Sequence, residues 1–562
     1  MSDEDHNIAR HLSLRAAAQP ECAALKIPRG RTRGGDIDYL VLSFAELEAE
    51  VNAWCQRLSS AGVKPGDRTL VMVRQGLPLI ASAFATFRIG AVPVIIDPGM
   101  GLKHFLAAVA HSQPQALIGI PLAQILSRVA RRAFHSVRVR VGASGSLTAR
   151  LTEPNRLAGA PRYTERRSDV AGSASETRIA PPTASNALAA ILFTSGSTGA
   201  PKGVCYEHGM FEAQVRMIQQ TYDIQPGEVD LPLLPIFALF NPALGMTTVV
   251  PEIDPRRPAD VDPAKIVQAI RQEGVTNSFG SPTLWRKIAD HCVQRGWRLD
   301  SVRRVLCAGA PVPAALWRAA PTFLPRGTLH SPYGATEALP VATVSAAEVD
   351  PAGVRGACVG RVVAGMEVRI IAIEDRPLRQ ISDTTRLPAG EVGEIIVRGP
   401  VVTKTYDGRA EATAAAKIAD GDTVWHRMGD CGYLDAEGRL WFCGRKVERV
   451  EASFGTLHTE PCEQVFRGHP DVKRCALIGL GPVGEQRPAL VVEATLQDSA
   501  VGRRISRGLA ALAQQHAHTE RINLFYYRPT FPVDVRHNAK IHRLALARWA
   551  ARAKGFEIEL RR

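Results

Sequence analysis

An alternation of apolar strands and helices near the amino terminus constrains the fold of this chain more than any other feature. A strand over 69–73 is followed by an apolar helix over about 78–88 and by a second apolar strand over 91–96. Strands joined through helices run parallel, and their apolar character fits a sheet that is covered on both faces. The pattern therefore predicts an α/β fold, in which ligands bind at the ends of the strands.

A helix that precedes this unit begins at a recognisable cap. Ser43 stands before an amphipathic segment and Glu46 follows three residues later, which is the spacing of a capping box. Gly62 comes after the last apolar position of this segment, at Leu58. We therefore expect a helix that begins after Ser43 and ends before Gly62.

The sequence ILFTSGSTGAPKGV at residues 191–204 breaks from an apolar run into a loop of glycines, hydroxyl side chains and one lysine. Glycines let backbone N–H groups turn inward, the hydroxyl groups add donors and Lys202 supplies a cation, so the loop suits a polyphosphate. It is not a Walker A loop, because Pro201 precedes the lysine and Gly203 replaces the Ser or Thr that would hold magnesium. The metal ligand must then come from elsewhere in the chain. A surface linker is the alternative that composition leaves open.

The length of the chain indicates more than one hydrophobic core, and the distribution of its charge argues against a nucleic-acid-binding protein. The chain has 562 residues, which is too long for one hydrophobic core. The formal net charge is +14, but the basic residues are spread along the chain with acidic residues between them. A nucleic-acid binder would concentrate them in a tract or stripe, so we expect no nucleic-acid partner. Attraction to anionic substrates, to membranes or to an acidic partner stays open.

Cysteine usage and the amino terminus indicate a cytoplasmic protein. The ten cysteines are scattered without a C-x-x-C pair, which indicates neither a zinc site nor a disulfide framework. The first residues, MSDEDHN, are acidic and polar, unlike a signal peptide. The most apolar stretch, around 77–96, is interrupted by Arg88, Gly90 and Pro93, so we expect no transmembrane helix.

Three further segments have a distinct character. Residues 135–186 lose apolar periodicity, and we interpret them as a surface excursion for which partial disorder stays open. The segment 231–245 is apolar and aromatic but broken by prolines; it is either a buried core crossing or the wall of a hydrophobic pocket. The pocket interpretation selects Pro235, Phe237, Phe240 and Gly280 as candidate substrate contacts. The last 115 or so residues have an alternating pattern of their own, which predicts a separate small α+β domain.

Five separated motifs resemble those of one family. Besides the loop at 194–202, they are YGATE at 333–337, MGD at 428–430, Gly444 with Arg445, and NAKI at 538–541. In this order they resemble the adenylate-forming superfamily of acyl-CoA synthetases, peptide-synthetase adenylation domains and luciferases, over about residues 10–550. The resemblance implies an adenylate-forming fold, with a large amino-terminal domain of layered α/β sheets (1–444), a hinge (445–447) and a small mobile α+β carboxyl-terminal domain (448–562).

The resemblance also implies where ATP binds. The implied ATP-binding residues are Thr194, Ser195, Gly196, Ser197, Thr198, Gly199, Lys202, Gly309, Ala310, Pro311, Tyr333, Gly334, Ala335, Thr336, Asp430, Arg445 and Lys540. In this scheme the loop at 194–202 holds the β- and γ-phosphates, Tyr333 and residues 309–311 sandwich the adenine, and Asp430 binds the ribose hydroxyls beside Arg445.

The implied catalytic residues are Lys540, Glu337, Thr336 and Lys202. A carboxylate that attacks the α-phosphate of ATP needs charge neutralised at both ends of the reaction and its parts aligned. Glu337 would supply the missing Mg²⁺ ligand, Thr336 would contact the α-phosphate, and Lys540 would reach between carboxylate and phosphate before the small domain rotates. The expected cofactors are ATP and Mg²⁺.

Departures from the family pattern bear on the acceptor of the acyl group. Where CoA-using members carry K-x-x-G-x-R-I after the hinge, this chain has EASFGTL at 451–457. Pro235 occupies the place of a histidine found in many acyl-CoA synthetases, and Val447 the place of a hinge aspartate. An acidic and a bulky aromatic residue where the CoA chain should pass argue against CoA, so no CoA is expected.

Four local segments, at 97–103, 237–245, 333–340 and 533–540, look like the olefin β-lactone synthetases of bacterial long-chain hydrocarbon biosynthesis. That resemblance implies an AMP-forming ligase which activates a long-chain 2-alkyl-3-hydroxy fatty acid as acyl-adenylate. The 3-hydroxyl then closes a β-lactone and releases AMP. The base for that step is not identified, and His208, His458 and His537 are candidates by chemistry only.

Two alternatives stay open for the function. A fatty acyl-CoA synthetase would share every adenylation residue, and an inactive nucleotide-binding scaffold is the remote alternative. The resemblance leaves open assembly with neighbouring olefin-pathway enzymes and peripheral membrane association.

Overall fold

The computed structural model describes residues 5–143, 182–194, 201–254, 260–349, 353–533 and 541–559. The strands in these ranges are β1 (Ala23–Arg31), β2 (Ile37–Ser43), β3 (Arg68–Met72), β4 (Val92–Ile96), β5 (Ala116–Gly119), β6 (Val139–Gly142), β7 (Leu188–Thr194), β8 (Lys202–Glu207), β9 (Val229–Asp230), β10 (Thr247–Val249), β11 (Asn277–Gly280), β12 (Arg304–Cys307), β13 (Thr328–Ala335), β14 (Ala338–Ser345), β15 (Ala357–Val362), β16 (Glu367–Ile371), β17 (Gly393–Arg398), β18 (Lys417–Asp420), β19 (Thr423–Leu434), β20 (Arg439–Arg445), β21 (Val450–Ala452), β22 (Gly455–Leu457), β23 (Cys475–Leu480), β24 (Arg487–Glu493), β25 (Leu524–Arg528) and β26 (Phe556–Glu557).

The α-helices of the described ranges are α1 (Arg10–Ala18), α2 (Phe44–Ser60), α3 (Leu77–Arg88), α4 (Leu102–Ser112), α5 (Pro121–Val129), α6 (His208–Tyr222), α7 (Asn241–Leu244), α8 (Pro263–Glu273), α9 (Pro282–Arg295), α10 (Ala314–Phe323), α11 (Ala410–Ala416), α12 (Thr459–Phe466), α13 (Ser499–Ala513) and α14 (Arg543–Ala550). None of them has both the length and the apolar character that crossing a bilayer requires.

The capping box predicted before α2 is confirmed. The Ser43 side chain accepts a hydrogen bond from the Glu46 backbone, and the Glu46 side chain accepts one from the Ser43 backbone. These bonds satisfy two donors that would otherwise be orphaned at the helix start. The helix ends at Ser60, and Gly62 beyond it has a positive φ of 93°, which glycine adopts without strain.

The first sheet is the parallel α/β unit that the sequence predicts. Its strand order is β6-β5-β3-β4-β7-β8, and only β8 runs antiparallel to its neighbour. Side chains alternate between its faces: Leu117 joins a core with Phe105 and Val109 of α4, whereas Ile118 joins a core with Phe84 of α3. The sheet is therefore covered on both faces, and the α/β prediction is confirmed.

The second sheet is larger and mixed. Its strand order is β16-β17-β19-β20-β15-β14-β13-β12-β11-β9-β10-β1-β2, with β18 paired to β19. The strands from β13 to β1 in this order are parallel to their neighbours, and the flanking pairs β13–β14 and β1–β2 are antiparallel. One core, with Trp285 of α9 and Phe323 of α10 fully buried, packs on this sheet. Another core joins residues of both sheets, which makes the architecture layered.

A separate group of small sheets follows Lys446. In the described ranges, β21 pairs with β22, and β23 to β26 form a four-stranded sheet that pairs with no earlier strand. Phe466 of α12 and Leu509 of α13 lie in one core of this group, and Leu546 of α14 lies in another. This arrangement has the α+β character that was expected of the carboxyl-terminal region, while the domain boundaries themselves stay a prediction.

The prediction of a surface excursion over residues 135–186 is wrong at its amino-terminal end. The expected surface excursion at 135–186 includes β6, which pairs with β5 inside the first sheet, and the buried Val137. The sequence VRVRVG gives β6 an alternating pattern whose arginines are exposed, so an edge strand was mistaken for a polar loop. The middle of the predicted excursion, 144–181, lies outside the described residues.

Candidate nucleotide and acyl site

The phosphate-loop candidate begins and ends in a β-hairpin. Thr194 at the end of β7 pairs with Lys202 at the start of β8. The predicted contacts Ser195, Gly196, Ser197, Thr198 and Gly199 lie between them, outside the described residues. Gly203 explains one departure from a Walker A loop, because a Cβ there would come within 2.9 Å of the Phe193 ring.

Tyr406 joins Lys202 to Glu337, which are far apart in the sequence. The Lys202 ammonium lies 4.9 Å from the centroid of the Tyr406 ring, a cation–π distance. The Tyr406 hydroxyl donates a hydrogen bond of 2.8 Å to Oε1 of Glu337. Burial, together with the Glu337 charge, raises the pKa of Tyr406, so the phenol stays protonated and keeps donating. The structure thus brings together two of the predicted catalytic residues through one that sequence reasoning missed.

The backbone around Glu337 is also fixed. The backbone N–H and the hydroxyl of Thr403 donate to the Glu337 carbonyl over 2.9 and 3.2 Å, and the Tyr206 hydroxyl donates to the Thr336 carbonyl. These bonds hold the turn between β13 and β14, where both predicted residues lie. Glu337 is a single carboxylate, and Mg²⁺ in nucleotide sites takes one or two carboxylates together with phosphate oxygens. The donor set therefore fits a magnesium ion shared with a triphosphate.

A buried lysine and histidine lie beside this turn and were not expected. Lys417 of β18 pairs across the sheet with His426 of β19, and both are buried. Burial lowers the pKa of Lys417 to about 7, while the Glu337 charge acts in the opposite direction. Burial, then the Lys417 charge, lowers the pKa of His426, so its imidazole is neutral. Within the described ranges, the buried Nδ1 of His426 has no hydrogen-bond partner.

Tyr333, Asp430 and Arg445, the candidates for binding adenine and ribose, form one hydrogen-bonded group. The Tyr333 hydroxyl donates to Oδ2 of Asp430 and the Arg445 guanidinium donates to Oδ1, each over 2.6 Å. Asp430 and Arg445 are cross-strand partners in the β19–β20 hairpin, which sets their distance. A carboxylate has about four lone-pair sites, so Asp430 can still accept two ribose hydroxyl groups.

The adenine candidates lie at one edge of the large sheet, past the end of β12 and in the last part of the neighbouring parallel strand β13. Gly309, Ala310 and Pro311 follow β12, whose Leu306 pairs with His330 of β13. Tyr333 lies three residues farther along β13, so both segments are at the same edge of the sheet. Gly334 and Ala335 continue this strand into a tight hairpin, where a Cβ at Gly334 would lie 2.5 Å from the Ala338 carbonyl oxygen.

A row of aromatic rings connects the substrate-pocket candidates with the Thr336–Glu337 turn. Phe237 and Phe240 lie on a 3₁₀ turn, Pro235–Phe240, that begins at the predicted Pro235. Phe237 stacks on Phe279 with centroids 3.6 Å apart, and Phe240 meets Phe211 at 6.4 Å. Phe211 in turn stacks on Tyr206, whose hydroxyl holds the Thr336 carbonyl.

Gly280 follows Phe279 at the end of β11. A Cβ at Gly280 would lie 2.9 Å from the Trp285 indole nitrogen and 3.0 Å from the Leu233 side chain. This position therefore needs glycine for packing. The sequence does not identify aromatic residues 206, 211 and 279 as part of a candidate pocket. Each of them lies in a strand or a helix, where an aromatic residue is usually explained by packing alone.

Three histidines are candidates for the base of the lactone-forming step, and the structure does not bring the described ones into the group of Lys202, Tyr406 and Glu337. His208 lies at the start of α6, where its Nδ1 accepts a hydrogen bond from the Ile8 backbone over 3.2 Å. Burial lowers its pKa to about 4, and likewise that of His458 to about 4. His208 is thus engaged in packing the amino terminus. His537 lies outside the described residues.

Lys540 also lies outside the described residues, whereas the described residues on either side of it are bonded to each other and to other parts of the chain. Val533 and Ile541 form an isolated antiparallel bridge across the segment 534–540. Two residues later, Arg543 donates two hydrogen bonds to the buried Glu463 of α12, over 2.7 and 2.8 Å, and one to Glu448 over 2.9 Å.

The turn at the predicted hinge is bonded both to the large sheet and to Arg543. Lys446 and Glu448 belong to the 3₁₀ turn that follows Arg445. The Lys446 ammonium donates to Glu394 of β17 over 3.2 Å, while Glu448 holds Arg543. The turn is therefore bonded to the large sheet on one side and to the region after Lys540 on the other.

Comparison with known proteins agrees with this geometry. The family model described as AMP-binding enzyme matches residues 14–407. The chain belongs to the AMP-binding enzyme family and is an AMP-forming ligase. It is 45% identical to the olefin beta-lactone synthetase of Xanthomonas campestris pv. campestris, with 98% of each chain covered. It is 44% identical to the olefin beta-lactone synthetase of Stenotrophomonas maltophilia, over 97% of this chain and 98% of that one.

The fold is shared with solved adenylate-forming enzymes. The crystal structure of ATP-bound MatB from Rhodopseudomonas palustris superimposes with a TM-score of 0.76 at 20% identity, covering 97% of this chain and 99% of that chain. At this identity the likeness concerns the fold, and it agrees with the layered α/β architecture described above.

Proposed function

We propose that this enzyme uses ATP and Mg²⁺ to convert a long-chain 2-alkyl-3-hydroxy fatty acid into a β-lactone, AMP and pyrophosphate. The observation that carries the adenylation step is the convergence of Lys202 and Glu337 on Tyr406, because it places a cation and a carboxylate around one anchor. The second step is supported by similarity to olefin beta-lactone synthetases along nearly the whole chain.

In this proposal ATP lies across the two groups of residues. Asp430 would bind the ribose hydroxyl groups. Tyr333 and residues 309–311 would bind the two faces of the adenine. The loop at 194–202 would hold the β- and γ-phosphates, and Thr336 would contact the α-phosphate. Mg²⁺ bound by Glu337 would neutralise charge on the phosphate oxygens.

The first half-reaction requires alignment more than proton transfer. A substrate carboxylate oxygen attacks the α-phosphorus, the bond to the β-phosphate oxygen breaks, and pyrophosphate leaves. Lys202 would stabilise the charge that grows on pyrophosphate, and Lys540 would bridge the carboxylate and the α-phosphate. The bridge between Val533 and Ile541 and the bond from Arg543 to Glu448 support such a placement of Lys540, since they fix the described residues on either side of it beside α14 and the hinge.

The second half-reaction is intramolecular. The 3-hydroxyl oxygen attacks the acyl carbon, the acyl–phosphate C–O bond breaks, and AMP leaves as the hydroxyl proton passes to a base. The nucleophile is already tethered, so the enzyme has to fold the substrate and keep water out. The aromatic row from Phe279 to Tyr206 would bind the alkyl chains and exclude water beside the reacting carboxylate.

The loop after the hinge supports a mechanism without CoA. Glu451 forms an ion pair of 2.7 Å with Arg449, and the partly exposed Phe454 lies under the Arg521 guanidinium at 4.6 Å. Glu451 stands where the family motif has its lysine and neutralises Arg449, and Phe454 packs against Arg521, so both of these cations are engaged within the protein. CoA independence is therefore part of the proposal.

Incubation of the purified enzyme with ATP, Mg²⁺ and a 2-alkyl-3-hydroxy acid, with and without CoA, tests the proposal. We expect lactone, AMP and pyrophosphate in the absence of CoA, and loss of pyrophosphate release in Lys540→Ala. A thioester product with strict CoA dependence would instead identify a fatty acyl-CoA synthetase. Pyrophosphate release that is unaffected by Lys540→Ala would favour a nucleotide-binding scaffold.

We also propose that the enzyme is located in the cytoplasm. We further propose that it assembles with the enzymes that supply the hydroxy acid and consume the lactone. Fractionation of cells and co-purification from the native host test them separately.

A further inference from the structure

A row of exposed apolar side chains lies along α5. Leu122, Ile125 and Val129 are 69%, 57% and 77% exposed and are spaced three and four residues apart, so they share one face of the helix. Ala123 and Ser127 on the other side are buried against the first sheet. The helix is therefore already packed through its inner face, and the apolar row is not used by the core. Contiguous apolar surface of this kind usually marks an interaction site.

The surface around this row is basic. Lys103, Arg128, Arg131 and Arg132 are exposed, and none of them forms an ion pair with a carboxylate of the described ranges. The sequence contains no Asp or Glu from residue 98 to residue 152. Cations beside an apolar row, without acidic residues among them, complement a surface that is anionic outside and apolar beneath.

The row extends toward the edge of the sheet where the candidate site begins. Strands β4, β5 and β7 are parallel within the first sheet, so the segments that follow Ile96, Gly119 and Thr194 leave the same edge. Leu102, which is 62% exposed, and Leu122 stand at the starts of the helices that follow β4 and β5. The apolar surface thus begins at the edge from which the phosphate-loop candidate also leaves.

We propose that this surface, formed by Leu102, Leu122, Ile125 and Val129 with the surrounding cations, docks the enzyme on an anionic lipid membrane. The apolar face of α5 enters the boundary between headgroups and acyl chains, and the arginines contact lipid phosphates. The lipid is favoured over a protein partner because the apolar row is narrow and convex on a helix, and its rim is uniformly cationic. The inference concerns binding and does not depend on the proposed reaction.

Co-sedimentation with vesicles tests this docking site. The full chain is mixed with vesicles of phosphatidylcholine alone or of phosphatidylcholine with phosphatidylglycerol. We expect binding to the anionic vesicles that weakens as salt is added, because exposed charges are screened. The variant L122S/I125S/V129S and the variant R131Q/R132Q should each lower the partition coefficient on the order of tenfold or more.

A matched control separates this surface from general surface hydrophobicity. Val293 and Val483 are also exposed but lie on other segments, so V293S/V483S should bind vesicles as the unaltered chain does. Thermal melting of each variant establishes that it is folded, since all the changed side chains are exposed.

Three results would overturn the inference. They are failure of the folded, unaltered chain to bind anionic vesicles, equal loss of binding in V293S/V483S, and binding that survives in L122S/I125S/V129S. Sedimentation velocity supplies a fourth: if the α5 variant abolishes self-association while vesicle binding is unchanged, the surface joins two copies of the chain instead.

Discussion

Replacing Tyr406 by phenylalanine isolates the hydroxyl that holds Glu337. The ring stays, so the cation–π contact with Lys202 is retained, and only the 2.8 Å hydrogen bond to Oε1 of Glu337 is lost. We expect Tyr406→Phe to slow adenylation and to raise the Mg²⁺ concentration needed for half-maximal rate. The physical reason is that Glu337 loses the donor that fixes its orientation toward the metal.

The size of the effect follows from the type of bond. A hydrogen bond to a charged group contributes about 1.5–3 kcal/mol. If that contribution is expressed in the transition state, it corresponds to a rate reduction of roughly 10- to 100-fold. Tyr406→Leu removes the ring as well, so it should lose the Lys202 contact and fall further.

Pyrophosphate release measured across a series of Mg²⁺ concentrations is the assay. Tyr222→Phe is the matched control, because its hydroxyl donates to the Thr343 side chain over 3.0 Å and the residue is also buried. Both variants should remain folded, but only Tyr406→Phe should change the Mg²⁺ dependence. Equal effects of the two variants on rate and on Mg²⁺ dependence would refute the role given to Tyr406.

The remaining predictions concern stability, pH and nucleotide binding. Arg543→Met should lower the free energy of unfolding by about 3 kcal/mol, because the fully buried Glu463 loses two hydrogen bonds. Denaturant unfolding measures this, and Arg286→Met, which breaks an exposed pair, should cost less than about 1 kcal/mol. Burial lowers the pKa of Lys417 to about 7 from its ordinary 10.5, so between these values the unfolded chain binds more protons and stability rises with pH. Lys417→Met should remove that rise, and parallel pH profiles of unfolding for the two proteins would contradict the assignment. Asp430→Asn should raise the KM for ATP on the order of tenfold or more by weakening charge-assisted bonds to the ribose, and an unchanged KM would argue against ribose binding there.

Local patterns predicted the elements whose stability is local. The helix α2 begins at its predicted capping box and ends before Gly62, and α3 lies between β3 and β4 as the sequence predicts. The strand β13 runs from Thr328 to Ala335 and includes the start of the YGATE motif, because β14 supplies pairing partners for Tyr333 and Ala335. Such pairing depends on a second strand, and no property of the YGATE sequence alone shows it.

The sequence by itself determined the class of the protein and most of the candidate ATP residues. The phosphate-loop sequence, YGATE with Glu337, MGD with Asp430, and Gly444 with Arg445 are local motifs whose order is characteristic, and the family match over 14–407 covers the first two. Only the tertiary structure decided how they meet: Tyr406 connects Lys202 with Glu337, and Lys417 lies buried beside that turn. The physical reason is that these contacts depend on strands and loops that pack together from distant parts of the chain. The hydrogen bond of Tyr406 and the lowered pKa of Lys417 exist only once that packing has excluded water.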